Sequence, residues 1–398
     1  MKTKVAIFEP CIGIGGGDGF CSSLIAAATS IEWTVFVENF HSPDRFESAM
    51  IRSAGRAKFY SVTPKNMKGK ILSPLAEWFD SPADAAIAAA AGCDAVLSWH
   101  CETTPAVAGL IDAPIVELIQ NQDEQAAACG RASLAYASQR VAVSEAAGRD
   151  CFGDAKFKVI PNGVEADRCT PLIGRESQRQ LWNVAGEEVV CLFAGRLSGE
   201  KNAEALIDAL MILPDNFTAL FVGEGPLQDQ IINRATRSAS GRCRFLPARP
   251  QLGDCFAAAD VFVLPSDCEG DSLAMKEAMI AGLPVVASDA GSVRELNEQF
   301  GDIIVQVPRR PRAEELAAAI QQAAKAPPAA ISWIQSIALK NFTISRIARE
   351  WEGFLETVAF EGRKARTDRD YRDRMSALQA TPIKHIFSPR DIAEGELK

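Results

Sequence analysis

The chain has 398 residues, 47% of them apolar, enough to fill two domains rather than one. A net charge of −9 argues against wholesale nucleic-acid binding, although an acidic chain still has room for a local cationic pocket. Eleven cysteines, never spaced C-x-x-C, read as reduced thiols rather than disulfides or a zinc site, and the apolar run in MKTKVAIFEP is too short for a signal peptide or membrane span.

Lys4 to Phe8 reads as a first strand, followed by the glycine-rich loop Cys11 to Gly19 and a small-residue helix from Phe20 to Thr29. Glycines after a first strand let backbone approach a ligand closely, often a phosphate. A dinucleotide-binding reading competes, because Glu38 lies about 20 residues on, where a ribose-binding acid would sit. No G-x-G-x-x-G can be drawn, however. Counted from Gly13 its last position is Asp18, and from Gly15 it is Phe20. Trp33 to Val37, Asp94 to Leu97, Ile115 to Ile119 and Arg140 to Ser144 are further strands. His100 sits just past the second of these and reads either as a satisfied imidazole or as a group lining a cleft.

Val159 to Val164 places a Pro-Asn-Gly turn between apolar runs, which suits a linker between domains. The strand Val189 to Ala194 then leads into Gly195 to Lys201. Arg196 and Lys201, two cations at a strand exit, suit a diphosphate: arginine grips oxygens in a bidentate way and lysine acts as a point charge. A solvated surface pair is the alternative. Thr218 to Val222 ends in the turn Gly223-Glu224-Gly225-Pro226, and the strand Arg244 to Leu246 is followed by the loop Pro247 to Pro250.

The stretch Ala258 to Ser288 is the most informative. Asp260 to Leu264 is a buried strand ended by Pro265 and Ser266; Leu273 to Ala281 is a helix closed by Gly282; Val285 to Ala287 is the next strand. In such a βαβ unit the ligand crevice lies beyond the carboxyl end of the first strand, over Ser266 to Ser272. Glu269 in the loop and Glu277 in the helix flank it, and free N–H groups at the helix start near Ser272 suit a phosphate. Asp302 to Val307 adds a strand, and the alternation of short apolar strands with helical segments predicts parallel sheets in both α/β halves.

This string is similar to the C-terminal signature of glycosyltransferase family 4 (glycosyl transferases group 1), with Glu269, Gly270, Glu277, Ala278, Met279, Gly282, Pro284 and Val285 to Ser288 as the matching positions. The resemblance covers most of residues 1–360 and is densest over 159–296. It implies an α/β GT-B fold, two Rossmann-like doubly wound parallel-sheet domains facing a central cleft. Residues 1–162 would form the acceptor-side domain and 163–344 the nucleotide-sugar domain, with a helix at about 345–362 packing back on the first and a charged tail over 363–398.

The activity implied is retaining transfer of a sugar from a nucleoside-diphosphate sugar to a saccharide, lipid-linked or small-molecule acceptor in glycan or glycoconjugate biosynthesis. No metal or other cofactor is implied. By the same resemblance Arg196 and Lys201 hold the diphosphate, Glu269 the sugar hydroxyls and Glu277 the ribose, with His100 on the acceptor side of the catalytic cleft. Gly15, Gly16 and Gly17 face the donor from the first domain. Gly223, Gly270, Asp271, Ser272 and Leu273 line its site, and Arg249 lies in the loop that packs on the base.

Two departures from the family pattern stand out. Gln120 and Asn121 follow the strand after which members often carry a histidine. Asp271-Ser272 replace the apolar residue and glycine that many members have after Glu-Gly. Asp271 would repel phosphates unless its carboxylate caps the helix, and Ser272 would donate to phosphate instead.

Ala326-Pro327-Pro328 breaks the chain before a mostly helical stretch from Ile331 to Phe360. Glu361 to Arg374, six basic and four acidic residues, reads as a solvated helix. Asp368-Arg369-Asp370 matches the D-x-D metal motif of a different glycosyltransferase fold but follows no buried strand. The sequons at Asn216 and Asn341 read as chance matches. A nucleotide-sugar epimerase of the same fold and a non-catalytic binding protein are the competing functions; overlap with the Glu-Gly to Ala-Ser string favours the transferase over the first, and intact Arg196, Lys201, Glu269 and Glu277 favour it over the second. The expected location is cytoplasmic, compatible with peripheral contact on the inner face of the membrane.

Overall fold

The computed structural model describes residues 2–11, 16–39, 56–62, 76–239, 241–249 and 251–367. Among them, eight strands form a first sheet: β1 (Thr3–Cys11), β2 (Ile31–Asn39), β3 (Ala57–Val62), β4 (Ala76–Phe79), β5 (Ala95–Trp99), β6 (Ile115–Ile119), β7 (Gln139–Ala142) and β8 (Lys158–Val159). Six form a second: β9 (Val189–Ala194), β10 (Phe217–Val222), β11 (Cys243–Leu246), β12 (Val261–Leu264), β13 (Val285–Ser288) and β14 (Val305–Val307). Every pairing in both is parallel. The orders are β4-β3-β2-β1-β5-β6-β7-β8 and β11-β10-β9-β12-β13-β14. Each order reverses once, at β1/β5 and at β9/β12, and the loops leaving those strands open the crevices where ligands of doubly wound sheets bind.

Helices cover both faces of the second sheet, so its strands are apolar on successive residues. Leu192, Leu220, Phe262 and Leu264 pack on one side with Met279 of the helix Leu273–Ile280. Phe193, Phe221, Val261 and Val263 pack on the other with Leu206, Leu210 and Leu316. In the first domain Val5, Ile7, Val35, Leu97 and Val116 pack with Trp351, Leu355 and Val358. Those three come from the helix Ile344–Thr367, which returns to complete the core of the first domain.

Several sequence expectations shift. The glycine loop is shorter than expected, because β1 runs to Cys11 and the helix Gly16–Ala27 starts at a glycine rather than at Phe20. The stretch read as one helical region is two helices, Pro328–Asn341 and Ile344–Thr367, broken at Phe342 and Thr343. The second runs past residue 362, where the charged tail was placed. Arg363 pairs with Asp94 at 2.7 Å, so the start of that segment is docked helix. Asp368 and Asp370 lie outside the described residues.

The chain crosses between domains twice, and the crossings are joined. Val164 N–H donates to Phe342 C=O at 2.8 Å, and Ile344 N–H to Val164 C=O at 2.8 Å. Gly163 is required there: an added Cβ would lie 2.8 Å from Ile344 Cα.

Candidate active site

The site is built at the β9/β12 switch point. The loop after β9 carries Arg196 and Lys201; the loop after β12 carries Glu269. Lys201 Nζ donates to Glu269 Oε1 at 2.7 Å, and Ser266 Oγ donates to the same oxygen at 2.8 Å. Asp267 N–H donates to Glu200 C=O at 2.8 Å and fastens the two loops together. The Arg196 side chain is exposed and makes no hydrogen bond or salt bridge with the described residues, which leaves a cation for a ligand on the same loop as Lys201.

Glycines let neighbouring loops meet here. Gly223, at φ +142°, lies so close to the loop after β9 that a Cβ would sit 1.9 Å from Gly195 C=O. Gly270 faces the other domain, where a Cβ would come within 2.0 Å of Gln120 C=O. The Glu269-Gly270 loop therefore forms the floor of the cleft between domains.

The helix Leu273–Ile280 begins beside Glu269. Ser272 is its N-cap, with Oγ accepting from Met275 N–H at 3.3 Å, and half-buried Leu273 touches the cores of both domains. First-turn N–H groups lacking intrahelical acceptors point at the same cleft. The expectation for Asp271 is corrected. Its carboxylate neither faces the ligand nor caps the helix, because the side chain has no exposure and is committed to Lys276, to Asn162 N–H at 2.7 Å and to Ser292 Oγ at 2.7 Å. A buried carboxylate is held by its own partners and is not offered to a phosphate.

Glu277 is 3% exposed, and burial pushes its carboxyl above the ordinary range while the Arg168 guanidinium, 3.6 Å away, opposes that shift. Arg168 follows the linker and comes against the first domain: its guanidinium is 3.7 Å from where a Cβ on Gly19 would stand. Nearby Glu165 accepts from Ser23 Oγ of the helix Gly16–Ala27. Arg168 is thus a candidate that sequence reasoning missed, since nothing but position after a linker marks it; Ser266, already placed in the crevice, gains a specific role as donor to Glu269. Gly16 and Gly17 open the helix Gly16–Ala27, Gly15 lies outside the described residues, and Arg249 is half-buried beside Cys255.

On the facing domain, His100 follows β5 with φ +47°, and its Nε2 accepts from Gln120 N–H at 3.3 Å. Burial holds the imidazole down at about 4, with the Asp123 carboxylate opposing, so the ring is neutral at pH 7. The backbone C=O of Gln120 lies against Gly270, and its carboxamide has buried N and O atoms without hydrogen-bond partners among the described residues. Glu38, the acid that would hold a dinucleotide ribose, accepts instead from Glu102 N–H at 3.0 Å and from Thr103 Oγ1.

Beneath His100, Glu117 of β6 is fully buried. Tyr136 OH donates to its Oε2 at 3.0 Å, and Oε1 has no hydrogen-bond partner among the described residues. Burial pushes this carboxyl up to about 8, against bonds from Ser98, Tyr136 and the His100 N–H. The folded state therefore holds a proton that the unfolded chain, at about 4.3, releases. The stabilisation is complete below about pH 4.3 and is lost as pH rises to about 8. Glu117→Gln should flatten this dependence. Thermal unfolding from pH 5 to 9 should show wild-type stability falling by up to about 1.4 kcal/mol per pH unit more than the variant's; parallel curves would reject the assignment.

A two-domain α/β protein with paired switch points and a cationic crevice in the second domain is a GT-B protein. Over 89% of this chain and 100% of theirs, it superimposes on the Anabaena protein HepE solved with UDP and glucose, with a TM-score of 0.71 at 22% identity. WaaG, a glycosyltransferase involved in lipopolysaccharide biosynthesis, matches over 88% of this chain and 99% of its own, with a TM-score of 0.62 at 15% identity. Residues 174–338, which span most of the second domain, match the family model described as Glycosyl transferases group 1. Among curated relatives, the sulfoquinovosyl transferase of Arabidopsis thaliana is 32% identical over 35% of this chain and 28% of its own. The putative teichuronic acid biosynthesis glycosyltransferase TuaC of Bacillus subtilis is 29% identical over 45% of this chain and 44% of its own. The chain spans less than half the length of these relatives. No helix among the described residues is long and apolar enough to cross a membrane.

Proposed function

We propose that the protein is a retaining, metal-independent glycosyltransferase that moves a hexosyl group from a nucleoside-diphosphate sugar to an acceptor in glycan or glycoconjugate biosynthesis. One observation carries this reading: two adjacent loops at the second sheet's switch point bring Arg196, the Lys201–Glu269 pair and a helix start to one place. As a sugar leaves a nucleoside diphosphate, negative charge grows on the phosphates and positive charge at the anomeric carbon. Preorganised cations and dipoles answer the first, and a carboxylate answers the second. Arg196, Lys201 and the helix start are assigned to the diphosphate, Glu269 to the sugar and Glu277 to the ribose. His100, neutral and accepting from Gln120 N–H beside the Gly270 loop, is assigned to the acceptor side, where an uncharged ring suits hydroxyl groups rather than charged ones.

The test is incubation of the purified protein with a panel of UDP- and GDP-sugars and acceptor extract, with and without EDTA. Release of nucleoside diphosphate together with glycosylated acceptor of unchanged anomeric configuration, undiminished by EDTA, is the expected result. Epimerised donor without diphosphate release would replace the transferase with an epimerase. Loss of activity in EDTA with rescue by manganese would overturn the metal-independent mechanism.

A further inference from the structure

The most buried ion pair among the described residues lies behind the candidate site. Asp271 and Lys276 side chains both have no exposure. Lys276 Nζ donates to the Asp271 carboxylate and to Asn162 C=O at 2.9 Å, and it stands 4.8 Å from the Phe342 ring centroid. Asp271 accepts from Asn162 N–H, and its own carbonyl accepts from Asn162 Nδ2 at 2.9 Å. Asn162 belongs to the outgoing crossing and Phe342 to the returning one. Asp271 is two residues from Glu269, and Lys276 immediately precedes Glu277 on the helix. One ion pair therefore ties both crossings to both glutamates.

Charge is a poor choice there for stability alone. Apolar residues of similar volume often serve a buried site as well or better, whereas either charge left unpaired is costly. What the pair adds is direction, since its bonds to Asn162 hold only at one placement of the crossing. Burial pushes the Lys276 ammonium down and the Asp271 carboxylate opposes it, so each charge depends on its partner staying in place.

We propose that Asp271 and Lys276 are positioning residues that clamp the interdomain crossing to the loop of Glu269 and the helix of Glu277, setting how the first domain faces the donor site. Only the kinetic part of this rests on the glycosyltransferase reading.

The test compares wild type with Asp271→Leu/Lys276→Met, which removes both charges, and with Asp271→Asn, which keeps the shape and serves if the double variant does not fold. Hydrogen exchange should accelerate roughly tenfold or more at the amides of Asn162, Val164 and Ile344, with those of β9 unchanged. UDP or GDP binding should stay within about threefold of wild type, because the second domain is intact, while kcat falls roughly tenfold or more. Wild-type exchange at the crossings would overturn the clamp, as would faster exchange spread evenly over the second domain. If wild type transfers no sugar from any donor, the transferase reading fails while the exchange measurement still decides the clamp.

Discussion

Lys201→Ala should lower sugar transfer by roughly 10- to 150-fold, the equivalent of losing one charge-assisted bond at about 1.5–3 kcal/mol. Two effects act together. The diphosphate loses a cation, and Glu269, only 9% exposed, loses its ion-pair partner and keeps a single hydroxyl donor, Ser266. The unneutralised carboxylate then faces the phosphates. Arg196→Ala removes a cation without stranding a protein group, because Arg196 has no ion pair with the described residues, so its effect should be the smaller. A double-mutant cycle separates the two effects: Glu269→Gln combined with Lys201→Ala should cost less than the sum of the singles. Calorimetry with nucleoside diphosphate and initial transfer rates give both readings. If Lys201→Ala binds diphosphate as tightly as wild type, the phosphate role of this loop is wrong.

How much of this was legible depends on what each residue type advertises. The unit from β12 to β13 could be placed almost to the residue, because both faces are covered and the strands are unbroken apolar runs, while Gly282 at φ +80° marks the helix end. β3 and β4 went unread: Ala57–Val62 and Ala76–Phe79 lie toward the sheet's edge and interleave polar residues (Lys58, Ser61, Glu77) with apolar ones, so neither forms an apolar run. The early helix start was hidden by Gly16, Gly17 and Gly19, which cost about 1 kcal/mol each in a helix and read as loop. Asp271 was misread because an acid beside a crevice at a helix start looks like part of that crevice. The clue to its true partner was Lys276, a lysine among Met275, Ala278 and Met279, all core residues. A charge in the middle of an apolar helix calls for a buried counter-charge, and the acid five residues earlier supplies it. The contacts of Arg168, Gln120 and Asn162 across the cleft are set by domain placement, which no local pattern encodes.

The two glutamates should separate by ligand. Glu277 lies five residues beyond Ser272, about 7.5 Å further along the helix at 1.5 Å per residue, so the carboxylates reach different parts of one extended molecule. Glu269 is bonded to Lys201 and Ser266 in the loops at the switch point, whereas Glu277 is paired with Arg168 after the linker. Glu277→Gln should weaken nucleotide sugar and free nucleoside diphosphate alike, because both contain the ribose. The loss should be roughly 10-fold or more, the cost of one charged hydrogen bond at about 1.5 kcal/mol or above. Glu269→Gln should leave free diphosphate binding intact, or tighten it slightly by releasing Lys201 toward the phosphates. It should lower transfer roughly 100-fold or more, as expected where an interaction strengthens with the charge that develops in the transition state. Titration of both variants with nucleoside diphosphate, alongside transfer rates, reads the two roles separately. Equal loss of diphosphate affinity in both variants would refute the division of labour between sugar and ribose, and the GT-B fold would stand unaffected.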